Sequence, residues 1–355
     1  MPPELPTTMH AWRKHKGNPT PVLDTVSVPA CPPTGFLVRL LAAGVCHSDQ
    51  ALLEVEDRPG FQDIYVLGHE GCGEVVQIGR QVTDTRFKIG SRVAMLAVPG
   101  CGETECPECG RDLAQLCSRA PRHGIGQDGF YAQYCAIDQR AAILVPENVD
   151  SAVAAVATDA VTTAYHGIVR RAELKMGEIA FLFGLGGLGF NALQIARSIG
   201  ARIIVSDVRQ GRLDAAKELG LDEADIVPLE MTVQEFVKER GLEGRIDTVL
   251  EFVGMHQTFE DAQQIVRPGG KILCVGTLDR DNTLHMKIGI RKRLSIIFTY
   301  GGQYRDIVDV LDCISQGVLN PQVEIGEFEK YDEIMKQLCA GKIESRMAIL
   351  PNGRP

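Results

Sequence analysis

The sequence predicts an α/β protein in which a β-rich N-terminal region precedes a doubly wound parallel sheet. In residues 1–150, short β-branched runs are interrupted by glycine and proline, which is typical of an irregular antiparallel sheet. Beyond Asp150, strand-like apolar runs alternate with helix-like segments, which is the βαβ pattern of a parallel sheet. A chain of 355 residues also exceeds what one hydrophobic core normally spans, so about two domains are expected.

Each predicted element follows from the local pattern of apolar residues. In the β-rich region, strands are predicted at 37–41, 73–78, 92–98 and 131–137. In the second region, the predicted strands are 179–183, 203–206, 248–252 and 271–275, and the predicted helices are 190–199, 209–219 and 258–266. The chain closes with two amphipathic helices and a strand, predicted at 304–316, 331–340 and 345–350.

Composition and charge exclude several classes of protein. With 45% hydrophobic and 23% charged residues, the chain has the composition of a globular protein. The net charge of -9, with one short basic run at Arg291-Lys292-Arg293, argues against nucleic acid as a partner. Apolar stretches fall short of the ~20 residues of a membrane span. The N-terminus lacks a secretory signal, so we expect a cytoplasmic protein without a membrane partner.

A glycine-rich turn predicts a dinucleotide site. It reads Gly184-Leu185-Gly186-Gly187-Leu188-Gly189 and joins a predicted strand to a predicted helix, as a pyrophosphate-binding turn does. Asp207 ends the next strand, 18 residues after Gly189, where a carboxylate binds the adenosine ribose and repels a 2′-phosphate. NAD is therefore favoured over NADP, unless Arg209 or Arg212 contacts a 2′-phosphate. The alternative is a glycine turn of another nucleotide or S-adenosylmethionine fold.

Four cysteines in one loop predict a structural zinc site. They are Cys101, Cys106, Cys109 and Cys117, with the spacing C-x4-C-x2-C-x7-C. Four thiolates in a short loop match a closed tetrahedral zinc site. The total of 11 cysteines is odd and no secretory signal precedes them, so a disulfide framework is a poor explanation. Scattered buried thiols are the alternative, but the loop is rich in glycine and charge.

Two further segments place zinc ligands beside polar groups, namely Cys46-His47-Ser48-Asp49 and Gly68-His69-Glu70. With them, the chain resembles the zinc-dependent alcohol dehydrogenases of the medium-chain dehydrogenase/reductase superfamily over nearly its full length. The resemblance also rests on the cysteine loop, the glycine turn, and the segments 128–134 and 162–165, in the expected order. It implies a GroES-like catalytic domain from 1–160 and 297–355, with an inserted Rossmann domain at 161–296.

The resemblance implies a catalytic zinc held by Cys46, His69 and Asp159. Asp159 lies six residues before Tyr165, where many relatives have cysteine and the bacterial secondary-alcohol dehydrogenases have aspartate. The alternative is that Asp159 caps a helix that begins at Ala160. An oxygen ligand in place of a thiolate is expected to leave the zinc more Lewis-acidic.

Roles for neighbouring residues are implied in the same way. Ser48 is expected to relay the proton, Asp49 to accept a hydrogen bond from His69, and Glu70 to neighbour the metal and exchange onto it during turnover. Some relatives continue the relay through a histidine where this chain has Ala51. The proton is then expected to leave by the cofactor ribose, by water or by His47. The first spacing in the cysteine loop is also longer than the usual x2, which enlarges the loop without removing a ligand.

Later segments resemble the parts of the family that contact cofactor and substrate. Val275 begins the segment Val275-Gly276-Thr277, which resembles one that follows a later Rossmann strand and flanks the nicotinamide. Arg346 resembles an arginine that pairs with the pyrophosphate, the alternative being a solvated charge. Ala97, four residues before Cys101, takes the place of an aromatic residue beside the zinc. We expect it to leave space for a second substituent on the reacting carbon, the alternative being plain strand packing.

The resemblance therefore implies an enzyme that transfers a hydride between an alcohol, secondary or bulky, and NAD, giving a ketone or aldehyde. It implies a zinc ion at each of the two sites, a small-molecule substrate, and a homodimer or homotetramer. One alternative is a polyol or specialised-metabolite dehydrogenase or carbonyl reductase that uses NADPH. Another is a zinc-free quinone or enoyl reductase, which would lack the cysteine and histidine ligands as a set. A third is a non-catalytic zinc-bound relative, which would not need Ser48 or Asp159.

Overall fold

The computed structural model describes residues 5–54 and 59–353. The chain divides into two compact units. The first contains the described residues up to Asp159, together with Gly302–Gly317 and the described residues from Pro321 onward. The second contains Ala160–Gly301 and Val318–Asn320, where the sequence predicts a domain at 161–296.

The first unit is built mainly of β-strands. In chain order its N-terminal elements are β1 (Thr8–His15), β2 (Val22–Ser27), β3 (Gly35–Val45), α1 (His47–Glu54), β4 (Ile64–Val66), β5 (Glu70–Ile78), β6 (Arg92–Met95), β7 (Tyr134–Asp138) and β8 (Ala142–Leu144). β6 ends earlier than the predicted strand at 92–98 because the chain turns towards the cysteine loop. All four strands predicted in this region have a counterpart in the structure.

A long helix, Ser151–Arg171, follows β8. It consists of α2 (Ser151–Val156), a π-helical segment (Ala157–Val161), α3 (Thr162–Tyr165) and a second π-helical segment (His166–Arg171). By length and composition it is apolar enough to cross a membrane, but 78% of the apolar window is buried inside the protein, as in the core helix of a soluble protein. Its first turn is capped by Asp150, whose side chain accepts hydrogen bonds from the backbone N–H groups of Ala152 and Val153.

The second unit is a five-stranded parallel sheet with helices between the strands. Its elements are β9 (Ile179–Phe183), α4 (Gly189–Ile199), β10 (Arg202–Ser206), α5 (Gln210–Glu218), α6 (Val233–Glu239), β11 (Ile246–Glu251), α7 (His256–Ile265), β12 (Val266–Cys274), α8 (Met286–Lys292) and β13 (Ser295–Phe298). The strand order is β10-β9-β11-β12-β13. Because the order reverses direction beside β9, a crevice is expected at the carboxyl ends of β9 and β11. The predicted doubly wound sheet is confirmed.

The C-terminal elements of the first unit complete its main sheet. They are α9 (Tyr304–Ser315), β14 (Val323–Glu327), α10 (Tyr331–Cys339) and β15 (Arg346–Leu350). The sheet has the order β14-β15-β3-β5-β6-β8, and β7 also pairs with β3. β1 forms a smaller sheet with β2 and β4.

The register of three strands brings distant parts of the chain together. β3 is antiparallel to β5, with Gly44 opposite Glu70, and β15 pairs with the other edge of β3, with Met347 opposite Val45. Residues just after β3, just before β5 and at the start of β15 therefore meet at one end of the sheet. This end holds the candidate site.

Candidate active site

Three predicted zinc ligands and one neighbouring carboxylate form a cluster in the first unit. One potential ligand atom from each of Cys46, His69, Glu70 and Asp159 lies within 4.8 Å of the others. The Asp159 carboxylate is 3.7 Å from Cys46 Sγ and 3.7 Å from His69 Nε2. Tetrahedral zinc with ordinary bond lengths separates such ligand atoms by about 3.4–3.6 Å. The donor set and its spacing therefore fit zinc.

Local backbone structure places each of these side chains. Cys46 follows the end of β3 and begins the turn into α1. Gly68, in a left-handed conformation with φ of 89°, turns the chain so that His69 enters the cluster before β5 begins. Asp159 lies inside the π-helical segment, and such segments are frequent at functional sites. Since Asp150 caps this helix, the alternative role of Asp159 as a cap is wrong.

Asp49 orients the ligand cluster through hydrogen bonds to its residues. Its buried carboxylate accepts hydrogen bonds from His69 Nδ1 at 3.1 Å, the Cys46 backbone N–H at 3.2 Å and the Tyr131 hydroxyl at 2.5 Å. Burial lowers the pKa of His69, but Asp49, Asp159 and Cys46 together raise it well above its usual value. This accumulation of negative charge around one imidazole favours a bound cation. The sequence analysis did not assign a role to Tyr131, although the residue lies in the motif at 128–134.

Glu70 and Arg346 form a buried ion pair beside the cluster. Arg346 Nη2 donates to Glu70 Oε1, and only 5% of Arg346 is exposed. Burial raises the pKa of Glu70 to about 7, although the charge of Arg346 acts in the opposite direction. Arg346 Nη2 bonds Glu70, whereas its buried Nε has no hydrogen-bond partner among the described residues, so the predicted pairing of Arg346 with the cofactor pyrophosphate stays a prediction. The alternative of a solvated charge is wrong.

Ser48 and His47 are exposed at the start of α1. The Ser48 hydroxyl lies 3.6 Å from Cys46 Sγ, next to the ligand cluster. An exposed hydroxyl at this position is accessible to a substrate oxygen and to solvent. Ser48 therefore lies beside the cluster, and the relay roles of Ser48 and His47 stay predictions.

The four cysteines of the loop converge on a second cluster. Their sulfur atoms lie within 4.8 Å of one another, and the pairs Cys101–Cys109 and Cys106–Cys117 are each 3.7 Å apart. Tetrahedral zinc with four thiolates separates the sulfurs by about 3.8 Å, so this donor set also fits zinc. All 11 cysteines are free of disulfides. The longer first spacing is accommodated in the loop, where Glu103 pairs with Arg119.

The glycine-rich turn lies between β9 and α4 in the second unit. Gly184 has a φ of 85°, and a side chain on Gly189 would collide with the Gly184 carbonyl oxygen. Gly186 is open, so its backbone is accessible to a phosphate. Gly187 and Leu188 complete the turn, and Leu188 is the N-cap residue of α4. These features leave a helix N-terminus in place for an anion.

Asp207 lies next to the glycine-rich turn and is hydrogen-bonded to it. Its carboxylate accepts from the Leu185 backbone N–H at 2.7 Å and from Arg209, through the backbone N–H at 2.9 Å and Nε at 3.2 Å. Arg209 thus lies beside the carboxylate that is predicted to bind the ribose, and its contact with a 2′-phosphate stays a prediction. Arg212 is different, because it is buried, donates to the Leu185 carbonyl oxygen and lies over the Phe190 ring. Arg212 therefore supports the turn from inside the unit, and its predicted contact with the cofactor stays a prediction.

The segments after β11 and β12 approach each other closely. A side chain on Gly254 would collide with the backbone of Gly276, so only glycine fits there. Val275 is half-buried, and its N–H donates to the Glu251 carbonyl oxygen at 2.9 Å. Val275 therefore lies at the carboxyl end of the parallel sheet, on the same edge as the glycine turn.

The fold and the two ligand clusters define a zinc-binding dehydrogenase with a nucleotide-binding sheet. Residues 32–147 match the family model of the alcohol dehydrogenase GroES-like domain, and residues 187–316 match that of the zinc-binding dehydrogenases. Among solved structures, acetophenone reductase from Geotrichum candidum in complex with NAD is 30% identical, with 98% of each chain covered and a TM-score of 0.88.

One further relative agrees with this class, and another solved structure shares the fold. An alcohol dehydrogenase of Geobacillus stearothermophilus is 29% identical over 315 residues, which are 88% of this chain and 90% of the relative. The alcohol dehydrogenase of the archaeon Aeropyrum pernix is 23% identical, covers 96% of this chain and 100% of its own, and shares the fold with a TM-score of 0.86. The chain belongs to the zinc-dependent alcohol dehydrogenases of the medium-chain dehydrogenase/reductase superfamily. It is an oxidoreductase that uses zinc and a nicotinamide cofactor.

Proposed function

We propose that the protein transfers a hydride between a secondary or bulky alcohol and NAD, reversibly giving the ketone or aldehyde. The observation that carries this proposal is the cluster of Cys46, His69 and Asp159, with an exposed serine hydroxyl beside it. A purely structural zinc site has four protein ligands and no exposed relay group, as the cysteine loop illustrates. The catalytic cluster differs from it in the exposed Ser48 hydroxyl and in its fourth potential ligand, Glu70, which is paired with Arg346.

Different residues of the chain have different roles in removing the proton from the substrate hydroxyl. Zinc, when bound by Cys46, His69 and Asp159, supplies the Lewis acidity that lowers the pKa of an alcohol hydroxyl. Ser48 accepts the proton from the substrate hydroxyl and passes it to the cofactor ribose, to water or to His47. Asp49 holds His69 in the tautomer that presents Nε2 to the metal. Glu70, whose Oε2 has no hydrogen-bond partner among the described residues, is the carboxylate suited to exchange onto the metal.

NAD is the preferred cofactor in this proposal. Asp207 has its carboxylate at the end of β10, where it binds the two ribose hydroxyls and repels a 2′-phosphate. Arg209 partly offsets that repulsion, since it pairs with the same carboxylate. NADP is therefore the weaker cofactor and is not excluded from the site.

The proposed substrate class rests on the resemblance, which implies that Ala97 lies beside the metal ligands. Ala97 is half-buried in the segment after β6 and packs against the apolar residues of the cysteine loop. A methyl group fills much less space than an aromatic ring, so beside the metal it would leave room for a second substituent on the reacting carbon. The solved relative from Geotrichum candidum is named for acetophenone, an aryl ketone of this bulky kind. Asp159 independently resembles the secondary-alcohol branch of the family.

Assembly as a homodimer or homotetramer is part of the proposal. β13 is an edge strand of the parallel sheet, and its last residue, Phe298, is 71% exposed. A large apolar side chain exposed on an edge strand favours burial against another subunit. The cytoplasm is the proposed compartment, because thiol clusters for zinc need a reducing environment.

A panel of alcohols and carbonyl compounds, assayed with NAD and NADP by nicotinamide absorbance, tests the proposed activity. We expect turnover of secondary or cyclic alcohols and their ketones, faster with NAD than with NADP. The binding of NADH without turnover of any compound in the panel would instead support a non-catalytic zinc-bound protein.

A further inference from the structure

We propose that Tyr131 is a positioning residue of the catalytic metal site, which acts through Asp49 on the ligand His69. The inference rests on the zinc site proposed above and assigns it a residue outside the ligands and their direct partners. The hydroxyl of Tyr131 lies 2.5 Å from Asp49 Oδ2, and Asp49 Oδ1 lies 3.1 Å from His69 Nδ1. One side chain therefore connects the motif at 128–134 to the metal ligand.

Asp49 depends on this hydroxyl for its orientation. Of its two carboxylate oxygens, Oδ1 faces His69, while Oδ2 accepts from Tyr131 at 2.5 Å and from the Cys46 backbone N–H at 3.2 Å. The bond from Tyr131 is the shorter of the two at Oδ2, and hydrogen bonds to an ionised acceptor are the stronger kind. Without it, the longer bond alone would hold the carboxylate that orients the imidazole.

The ring of Tyr131 makes a second, independent connection to His69. A side chain on Gly68 would collide with this ring, so the ring lies directly against the peptide that precedes the ligand. The Tyr131 backbone N–H donates to the Leu67 carbonyl oxygen at 2.8 Å, which fixes the ring next to that turn. Tyr131 is thus connected to His69 by two routes, through the preceding residue Gly68 and through the carboxylate of Asp49.

Burial keeps the hydroxyl a hydrogen-bond donor. Tyr131 is fully buried, and its burial and the charge of Asp49 raise its pKa well above the usual value. The single hydroxyl hydrogen has two acceptors in reach, Asp49 Oδ2 and the Gly44 carbonyl oxygen at 2.7 Å. The same hydroxyl therefore also lies against β3 at Gly44, the residue opposite Glu70 in β5.

Tyr331 provides a matched control. It is also buried, and its ring lies 4.6 Å from the ring of Tyr131 between centroids. Its hydroxyl has no hydrogen-bond partner among the described residues. Tyr331→Phe therefore removes a tyrosine hydroxyl from the same core without removing a hydrogen bond to Asp49.

The test is the release of zinc from the holoenzyme to a coloured chelator, with the four-cysteine zinc as the internal reference. In Tyr131→Phe we expect one zinc per chain to leave about tenfold faster, the lower end of what loss of an outer partner of a metal ligand causes. The second zinc, and both zincs in Tyr331→Phe, should leave at the wild-type rate. The kcat for alcohol oxidation should fall in Tyr131→Phe, with the KM for NAD unchanged.

A double-mutant cycle with Asp49→Asn completes the test. Because both substitutions act at one contact, zinc should leave the double variant no faster than it leaves Asp49→Asn alone. Additive acceleration would overturn the inference, as would wild-type release from Tyr131→Phe. Equal acceleration of both zincs with a lowered Tm would show only a loosened core and would overturn it too. A wild type that holds only the four-cysteine zinc would contradict the proposed function itself, which is a different result.

Discussion

Asp150 and Asp159 belong to the same helix and have different roles, Asp150 as its N-cap and Asp159 inside its π-helical segment. Asp150 caps the helix through the backbone N–H groups of Ala152 and Val153, whereas the Asp159 carboxylate lies 3.7 Å from both Cys46 Sγ and His69 Nε2. The π-helical segment at Ala157–Val161 lies between the capped start and the second α-helical stretch. One residue therefore stabilises the helix and the other is a metal ligand in our proposal.

Substitution separates the two roles. Asp159→Asn should keep the fold but lose zinc from the catalytic cluster and most activity, because a neutral amide is a poorer ligand. Asp150→Ala should lower the free energy of unfolding by about 1 kcal/mol through loss of the cap, with zinc content unchanged. Metal analysis and denaturant unfolding of both variants check this. Full zinc content and activity in Asp159→Asn would refute its role as a ligand.

Asp207 is expected to control cofactor choice. Asp207→Ala should raise the KM for NAD by about 10–100-fold, since hydrogen bonds to a charged acceptor contribute about 1.5–3 kcal/mol. The KM for NADP should rise less or fall, because the repulsion of the 2′-phosphate is lost as well. Arg209→Ala should act in the opposite direction and weaken NADP selectively. A wild type that prefers NADP would show that Arg209, rather than Asp207, dominates.

Ala97 is expected to set the size of substrate that the enzyme accepts. Ala97→Trp should reduce kcat/KM for secondary and cyclic alcohols at least about tenfold more than for ethanol, because added bulk excludes large substrates by steric overlap. Kinetics of wild type and variant on matched small and large alcohols measure this ratio. Equal losses for both sizes, or ethanol as the best wild-type substrate, would end this account of specificity.

Arg346 is expected to contribute to stability through its buried ion pair with Glu70. Arg346→Ala should destabilise the protein by about 3–5 kcal/mol, since it leaves the buried charge of Glu70 unpaired. Adding Glu70→Gln should recover part of that loss, because the orphaned charge is removed. Thermal unfolding of the single and double variants tests the ion pair. Wild-type stability of Arg346→Ala would contradict a stabilising role of the ion pair. If that variant also showed a raised KM for NAD, the result would support the pairing of Arg346 with the cofactor pyrophosphate.

Much of the parallel sheet was predictable because its signals are local. The strand predicted at 179–183 coincides with β9, and the helix predicted at 304–316 differs from α9 by one residue. Both are short, strongly patterned segments flanked by glycine or loop residues. The start of the helix at Ser151 was missed because its first residues are apolar on nearly every side, which hides a helical period.

The contacts of the site were less predictable because they depend on non-local pairing. The candidate ligands were recognised only through a family resemblance, because the sequence spacing of Cys46, His69 and Asp159 does not identify a shared site. The ion pair of Arg346 with Glu70 requires β15, β3 and β5 to lie side by side in one register. That register combines segments hundreds of residues apart, which a single sequence does not reveal.

The zinc content of three proteins, measured together with their alcohol turnover, tests the central claim most directly. Wild type should hold a zinc ion at each of the two clusters. Cys46→Ser should lose the catalytic zinc and turnover while it keeps the four-cysteine zinc and the fold. In Cys106→Ser, the loss of the structural zinc and of stability should precede any loss of turnover. Retention of both zincs and full turnover by Cys46→Ser would contradict the claim that Cys46, His69 and Asp159 hold the catalytic metal.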